Sequence, residues 1–130
     1  EAVKKYNLEP MAKMTDFHFH GLEPERMGLG PVLASHGVLN RVGMKLSDFD
    51  LVEINEAFAP VAMAAIEDFK LDHSKVNVNG GAIAIGHPIG GSGARILATL
   101  IHAMKNRDVQ TGLATLCIGG GEASAMVVKR

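Results

Sequence analysis

One cysteine, Cys117, is all that the 130 residues contain. No disulfide can form within the chain, so nothing points to an oxidising compartment, and a lone thiol raises the question of reactivity. Charge of one sign is equally scarce. Thirteen Lys and Arg face 14 Asp and Glu for a formal net charge of -1, and neither sign gathers into a block. That balance argues against nucleic acid or an anionic membrane as a partner and leaves only a local basic spot for a phosphate. Long apolar runs are missing too: no stretch reaches the roughly 18 residues of a membrane-crossing helix. Glu1–Pro10 lacks the apolar run of a secretory leader. The chain opens without methionine in what reads as a helix end, so Glu1 is expected to be a break in a longer polypeptide. Any targeting segment would lie upstream; the cytoplasm is the expected compartment, with mitochondrion and peroxisome left open. What is present, 47% apolar and 21% charged residues, is ordinary for one globular domain with a fair core.

Ala2 to Tyr6 reads as a helix end closed by Asn7 and punctuated by Pro10. Residues 1–10 are thus expected to be a helix end and linker ahead of a domain over 11–130. Ala12 to Phe19 predicts a strand and His20 to Gly30 a loop. Pro31 suits the first turn of a helix that stops near Val42, before Gly43. The apolar run Leu51–Ile54 predicts a buried strand, and Phe58, Val61, Ala62, Ala65, Ile66 and Phe69 fall on one helical face. Val76–Asn79 predicts a third strand. A second helical face, from near Ser92, carries Ile96, Leu97, Leu100, Ile101 and Met104. Leu113–Ile118 and Ala123–Lys129 flank Gly119–Gly121 as an expected antiparallel hairpin. The order βαβαβαββ implies an α/β domain, a mixed, mostly parallel sheet with helices on its faces and an antiparallel terminal hairpin. Ligands of such sheets collect beyond the carboxyl ends of the strands, which selects the loops after Ile54, Asn79 and Leu116.

The second of these loops dominates. Asn77 to Arg95, N-V-N-G-G-A-I-A-I-G-H-P-I-G-G-S-G-A-R, holds six glycines around His87-Pro88. Each glycine gives up much backbone entropy on folding, so either the backbone approaches a ligand here or a tight turn demands positive φ. His87 can exchange a proton near neutral pH or donate to an oxyanion; it can equally serve a backbone carbonyl in a turn. Cys117, at a strand end before Gly119–Gly121, is either a nucleophile or acid/base or a small buried hydrophobe. The bare N–H groups after it could meet a carbonyl oxygen. Asn55 and Glu56 can hold a water or substrate oxygen, or cap the next helix.

Other signals are weaker. The glycine spacing Gly86–Gly91 mimics a phosphate loop, but Ser92-Gly93 stands where Lys and Ser/Thr are needed. G-G-S-G before a helix lacks the full dinucleotide fingerprint. His18 and His20 form H-x-H without accompanying ligands at metal spacing, so alternating strand residues is the better reading. His36, His73 and His102 read as ordinary helix or turn residues, and Arg95 and Lys4/Lys5 as solvated charges.

Taken together, N-E-A-F-A at Asn55–Ala59, the Asn77–Arg95 stretch and G-L-A-T-L-C-I-G-G-G at Gly112–Gly121 resemble the thiolase family closely. M-G-L-G-P at Met27–Pro31 also fits, and the resemblance runs in order through essentially the whole chain, as a C-terminal third. It implies two similar βαβαβαββ halves in a five-layered α/β/α/β/α body and the making or cleaving of 3-ketoacyl-CoA through an acyl-cysteine. It further implies that His87 activates that cysteine and donates to the thioester oxygen, and that Cys117 is the acid/base at the α-carbon of acetyl-CoA. Asn55 would hold a water in a first oxyanion hole, and the Gly119 N–H would serve a second, such donors being worth roughly 3 kcal/mol each. No metal or organic cofactor is implied; the CoA thioester is substrate. The implied partners are acetyl-CoA, acetoacetyl-CoA and CoA, the N-terminal part of the same thiolase, and further copies in a dimer or tetramer. C-I-G-G-G leans toward the acetoacetyl-specific branch, with the 3-ketoacyl branch of fatty-acid β-oxidation or a non-catalytic thiolase-like fragment as alternatives. The main departure is an absence: no cysteine here matches the nucleophile, so this segment alone is expected to be inactive. Glu122-Ala123 also departs from the small or polar pair that relatives often carry there.

Overall fold

Four strands account for the sheet of the computed structural model, which describes residues 1–130. They are Lys13–Gly21 (β1), Leu51–Ile54 (β2), Thr111–Ile118 (β3) and Glu122–Lys129 (β4), side by side in the order β1-β4-β3-β2. β3 and β4 form the expected antiparallel hairpin, β1 adds antiparallel to β4, and β2 lies parallel to β3. Val76–Asn79 does not become a strand. It makes one parallel bridge, Val52 to Val76, before Asn77 turns away with φ 46°. The Asn77 side chain then takes over from the backbone: Ile54 N–H donates to its Oδ1 at 2.8 Å and its Nδ2 donates to the Ile54 carbonyl at 2.9 Å. Turn-prone Asn77, Asn79 and Gly80 outweigh the apolar Val76 and Val78. The parallel part is therefore β2–β3 with that bridge, smaller than the mostly parallel sheet expected.

The helices follow the predicted punctuation. Ala2–Tyr6 (α1) ends at Asn7 in the left-handed region, φ 49°. Gly30–Val42 (α2) carries Pro31 in its first turn and stops at Gly43, φ 65°. Ala59–Phe69 (α3), the short Ala82–Ile85 (α4) and Ser92–Asn106 (α5) complete the set. A 3₁₀ helix over Pro24–Leu29 replaces part of the expected loop.

Period-2 alternation assigns each strand residue to a face. On one side Val52, Ile54, Leu113 and Val127 pack with Ala34 and Val38 of α2 and Ala62 and Ala65 of α3. On the other, Leu51, Ala114 and Val128 meet Ile96, Leu100, Ala103 and Met104 of α5. Burying Ile96 and Leu100, each 1% exposed or less, contributes about 2 kcal/mol apiece and fixes α5 on the sheet. Glu53 and Asn55 alternate with Leu51 and so share the α5 face; Cys117 alternates with Leu113 and lies on the α2 face. The hairpin turn uses Gly120 and Gly121 at φ 99° and 91°, and the Gly121 carbonyl accepts from Leu22 N–H at 2.8 Å.

Candidate functional site

The loop carrying His87 is anchored by a carboxylate. Glu56 accepts from Ile83 N–H through Oε2 at 2.9 Å and from Asn77 Nδ2 through Oε1 at 3.1 Å. A Cβ on Gly81 would collide with that carboxylate, which explains one glycine of the run. Neither Asn55 nor Glu56 caps α3, whose first residue follows Phe58 with no side-chain cap.

His87 follows Gly86, whose φ of 96° turns the chain back. Its Nδ1 lies 2.6 Å from Ser92 Oγ, and that hydroxyl donates to the Pro88 carbonyl at 3.1 Å. When the hydroxyl gives its proton to Pro88 it accepts from the ring, an arrangement that puts the ring proton on Nδ1 and the lone pair on Nε2, the tautomer a general base requires. Ser92, 2% exposed, was legible in the sequence only as a helix start; an i, i+5 spacing belongs to no helical or strand period.

Beyond the ends of β2 and β3 lies a cavity of about 630 Å³ whose wall includes His87, Cys117, Gly119, Phe58, Met27 and Ile89. Residues 30 apart in sequence thus converge as expected for His87 and Cys117. The Cys117 thiol is buried, and burial pushes its pKa up, so it rests as the neutral thiol. Gly119 has no neighbour within 4 Å of where a Cβ would stand, which leaves its backbone open to approach.

Asn55 is placed differently. Ala57 and Phe58 of its loop line the cavity, while Asn55 itself is fully buried on the α5 face, its N–H donating to the Thr115 carbonyl at 2.9 Å. Its Oδ1 accepts from Arg95 Nη2 at 3.2 Å. Arg95 is thus no solvated charge: it is half-buried, and Nε and Nη1 are fully covered.

Beside it lies Glu53, 2% exposed. Burial pushes its carboxyl up to about 7; Arg95 pulls it down and Glu56 pushes it further up. Nothing in the sequence singles Glu53 out, since one carboxylate in a short apolar run carries no motif. The folded state holds this proton more tightly than an unfolded chain near the ordinary value of 4.5. Its stabilising contribution is complete below that value, is lost as pH rises toward 7, and leaves a constant penalty above, at most about 3 kcal/mol after solvent screening. Glu53→Gln is expected to raise Tm at pH 8 by several degrees and to lose that advantage near pH 4.5. Thermal unfolding at the two pH values checks this; a pH-independent difference would mean that Glu53 titrates normally.

His18 and His20 alternate on β1 with ring centroids 6.1 Å apart, His18 against Gly37 of α2. His36 of α2 meets Asp68 of α3 at 3.1 Å on the outer surface. None of the three borders the cavity.

A mixed sheet covered on both faces, with a serine-held histidine and a buried thiol in one strand-end cavity, defines an α/β domain with a His–Cys site. Residues 8–130 match the thiolase C-terminal domain, and the chain belongs to the thiolase family. It is 54% identical over 128 residues to the acetyl-CoA acetyltransferase of Allochromatium vinosum, covering 98% of this chain and 32% of that one. It is 48% identical over 129 residues to human mitochondrial 3-ketoacyl-CoA thiolase, with 99% and 32% covered. The crystal structure of that human enzyme in complex with CoA superposes with a TM-score of 0.95 at 48% identity, over 98% of this chain and 32% of that one. The Bacillus anthracis acetyl-CoA acetyltransferase superposes with a TM-score of 0.94 at 43% identity, with the same coverage. The chain thus spans about a third of the length of the relatives it matches.

Proposed function

We propose that this chain is the C-terminal catalytic part of an acetyl-CoA C-acetyltransferase, which condenses two acetyl-CoA to acetoacetyl-CoA and CoA reversibly. The observation that carries the reading is the shared cavity of His87, its Nδ1 held by Ser92, and Cys117 beside the open Gly119 backbone. The nucleophilic cysteine comes from the remaining two-thirds of the polypeptide. In condensation, that cysteine carries an acetyl thioester; Cys117, having given its thiol proton to the CoA thiolate released when that acetyl group was loaded, removes as thiolate a proton from the methyl of a second acetyl-CoA. The resulting carbanion attacks the thioester carbonyl, a C–C bond forms, and the cysteine departs as thiolate. In thiolysis the Cys117 thiol, its resting form, returns the proton to carbon. His87 serves the nucleophile and the thioester oxygen, Gly119 N–H meets enolate charge, and Asn55 acts through its amide. No metal or organic cofactor takes part; the CoA thioester is substrate.

Exposed apolar side chains on the His87 loop, Ile83 at 67% and Ile89 at 93%, fit a surface covered by the rest of the polypeptide or by another subunit of a dimer or tetramer. A place in lipid and fatty-acid metabolism follows from the substrate, and the cytoplasm is the compartment we assign. The close similarity to the human mitochondrial enzyme supports one alternative, a 3-ketoacyl-CoA thiolase acting on longer chains. Thiolysis by the complete polypeptide decides: we expect kcat/KM for acetoacetyl-CoA to exceed that for a sixteen-carbon 3-ketoacyl-CoA by about tenfold or more. The reverse order favours the alternative, and no turnover of either makes the chain a non-catalytic relative.

A further inference from the structure

The reading of Asn55 leaves open how its amide is oriented, and the buried polar groups on the α5 face answer that. Resting on that reading, we propose that Arg95 is a positioning residue: its guanidinium holds the Asn55 amide in one orientation, with Nδ2 as the free donor, and ties the end of β2 to the first turn of α5. Three observations combine. Arg95 Nη2 donates to Asn55 Oδ1 at 3.2 Å across 40 residues of sequence. A guanidinium has donors only, so the reverse amide orientation would set N–H against N–H in a site where Asn55 is 0% exposed. Nδ2 is covered and has no acceptor within the chain, which leaves it as the amide's free donor. Glu53, buried on the same face, feels the Arg95 guanidinium, which pulls its carboxyl down without forming an ion pair. Ser92, three residues before Arg95 in the same helical turn, holds His87 Nδ1, so one turn of α5 fixes the amide and the imidazole together.

The test is a double-mutant cycle in the complete enzyme, with kcat and KM for acetoacetyl-CoA thiolysis measured for Asn55→Ala, Arg95→Met and the double variant. Arg95→Met is expected to lower kcat about tenfold with KM within twofold, as small misplacements do. The double variant should be no slower than the slower single one, and Arg95→Lys should restore most of the rate. Effects that multiply, or a wild-type rate in Arg95→Met, would overturn the proposal. Arg95→Met also leaves Glu53 without its cation. The cycle is therefore repeated in a Glu53→Gln background, where no carboxylate is uncompensated; failure to fold there too would make Arg95 a residue of the fold and overturn the assignment. The underlying reading fails on a different result, full turnover by His87→Ala. With His87→Ala inactive and a multiplicative cycle, only the role of Arg95 falls.

Discussion

Cys117→Ala and His87→Ala, each made in the complete polypeptide, are expected to cut acetoacetyl-CoA thiolysis on the order of a thousandfold while the protein stays folded. The magnitude follows from what positioned proton transfer contributes, about 10² to 10⁴-fold per group. Cys117→Ala removes the group assigned to return a proton to the departing carbanion. In His87→Ala the nucleophile loses the base we assign to it. Stability should change little in either case. Cys117→Ala removes one buried sulfur, worth about 1 kcal/mol, and His87 is exposed at the cavity wall. Solvent exchange into the methyl of acetyl-CoA separates the two roles: it should vanish in Cys117→Ala, which removes the base assigned to that carbon. Near-normal thiolysis by either variant, with an unchanged melting profile, would remove that residue from its assigned role.

The second large effect is on the fold. Gly121→Ala is expected to leave little folded protein at 37 °C. At φ 91° an L side chain is strained by roughly 1–2 kcal/mol. A Cβ there would also run into the Leu22 carbonyl oxygen, with Pro24 N at 3.0 Å and Pro24 Cα at 3.1 Å. All three atoms are backbone, so no rotamer change relieves the contact, and overpacking adds about 1–3 kcal/mol. The sum is a large share of the total stability of a domain, about 5–15 kcal/mol. The matched control is Gly119→Ala, two residues earlier, where a Cβ meets nothing within 4 Å and the N–H is retained. Thermal melts of the pair check the contrast, and a Gly121→Ala transition within 2–3 °C of the parent, on the order of 0.5 kcal/mol, would refute the close approach.

Much of this architecture was legible because local chemistry and tertiary structure agree. Pro31 and Gly43 bracket α2, Asn7 closes α1, and the apolar periods of α3 and α5 point at the sheet, so boundaries came within a residue or two. That His87 and Cys117 converge on one cavity was legible through their glycine surroundings and the family resemblance those surroundings carry. What escaped was decided by partners distant in sequence. Val76–Asn79 looked like a strand because two valines alternate with asparagines, yet Asn77 satisfies Ile54 with its side chain and frees its backbone to turn. Arg95 looked solvated because a helix-borne arginine usually is; only Asn55, Glu53 and the end of β2 give it reason to turn inward. Ser92 was read as a helix start because no periodic rule connects it to a ring five residues away. The placement of Asn55 on the α5 face required knowing where β2 begins its alternation, since a shift of one residue reverses every side chain.

Asn77 has a consequence for which rim of the sheet stays open to other chains. β2 is the last full strand on its side, and a bare strand rim is a template on which foreign strands can add. Here Asn77 N–H donates to Val52 O at 3.0 Å while its amide occupies both backbone groups of Ile54, so the rim beside the cavity is sealed. The opposite rim, β1, has no such closure within this chain and displays Met14, Phe17 and Phe19 to solvent. Strand-on-strand association of the isolated segment is thereby directed to β1, away from the edge that supports His87.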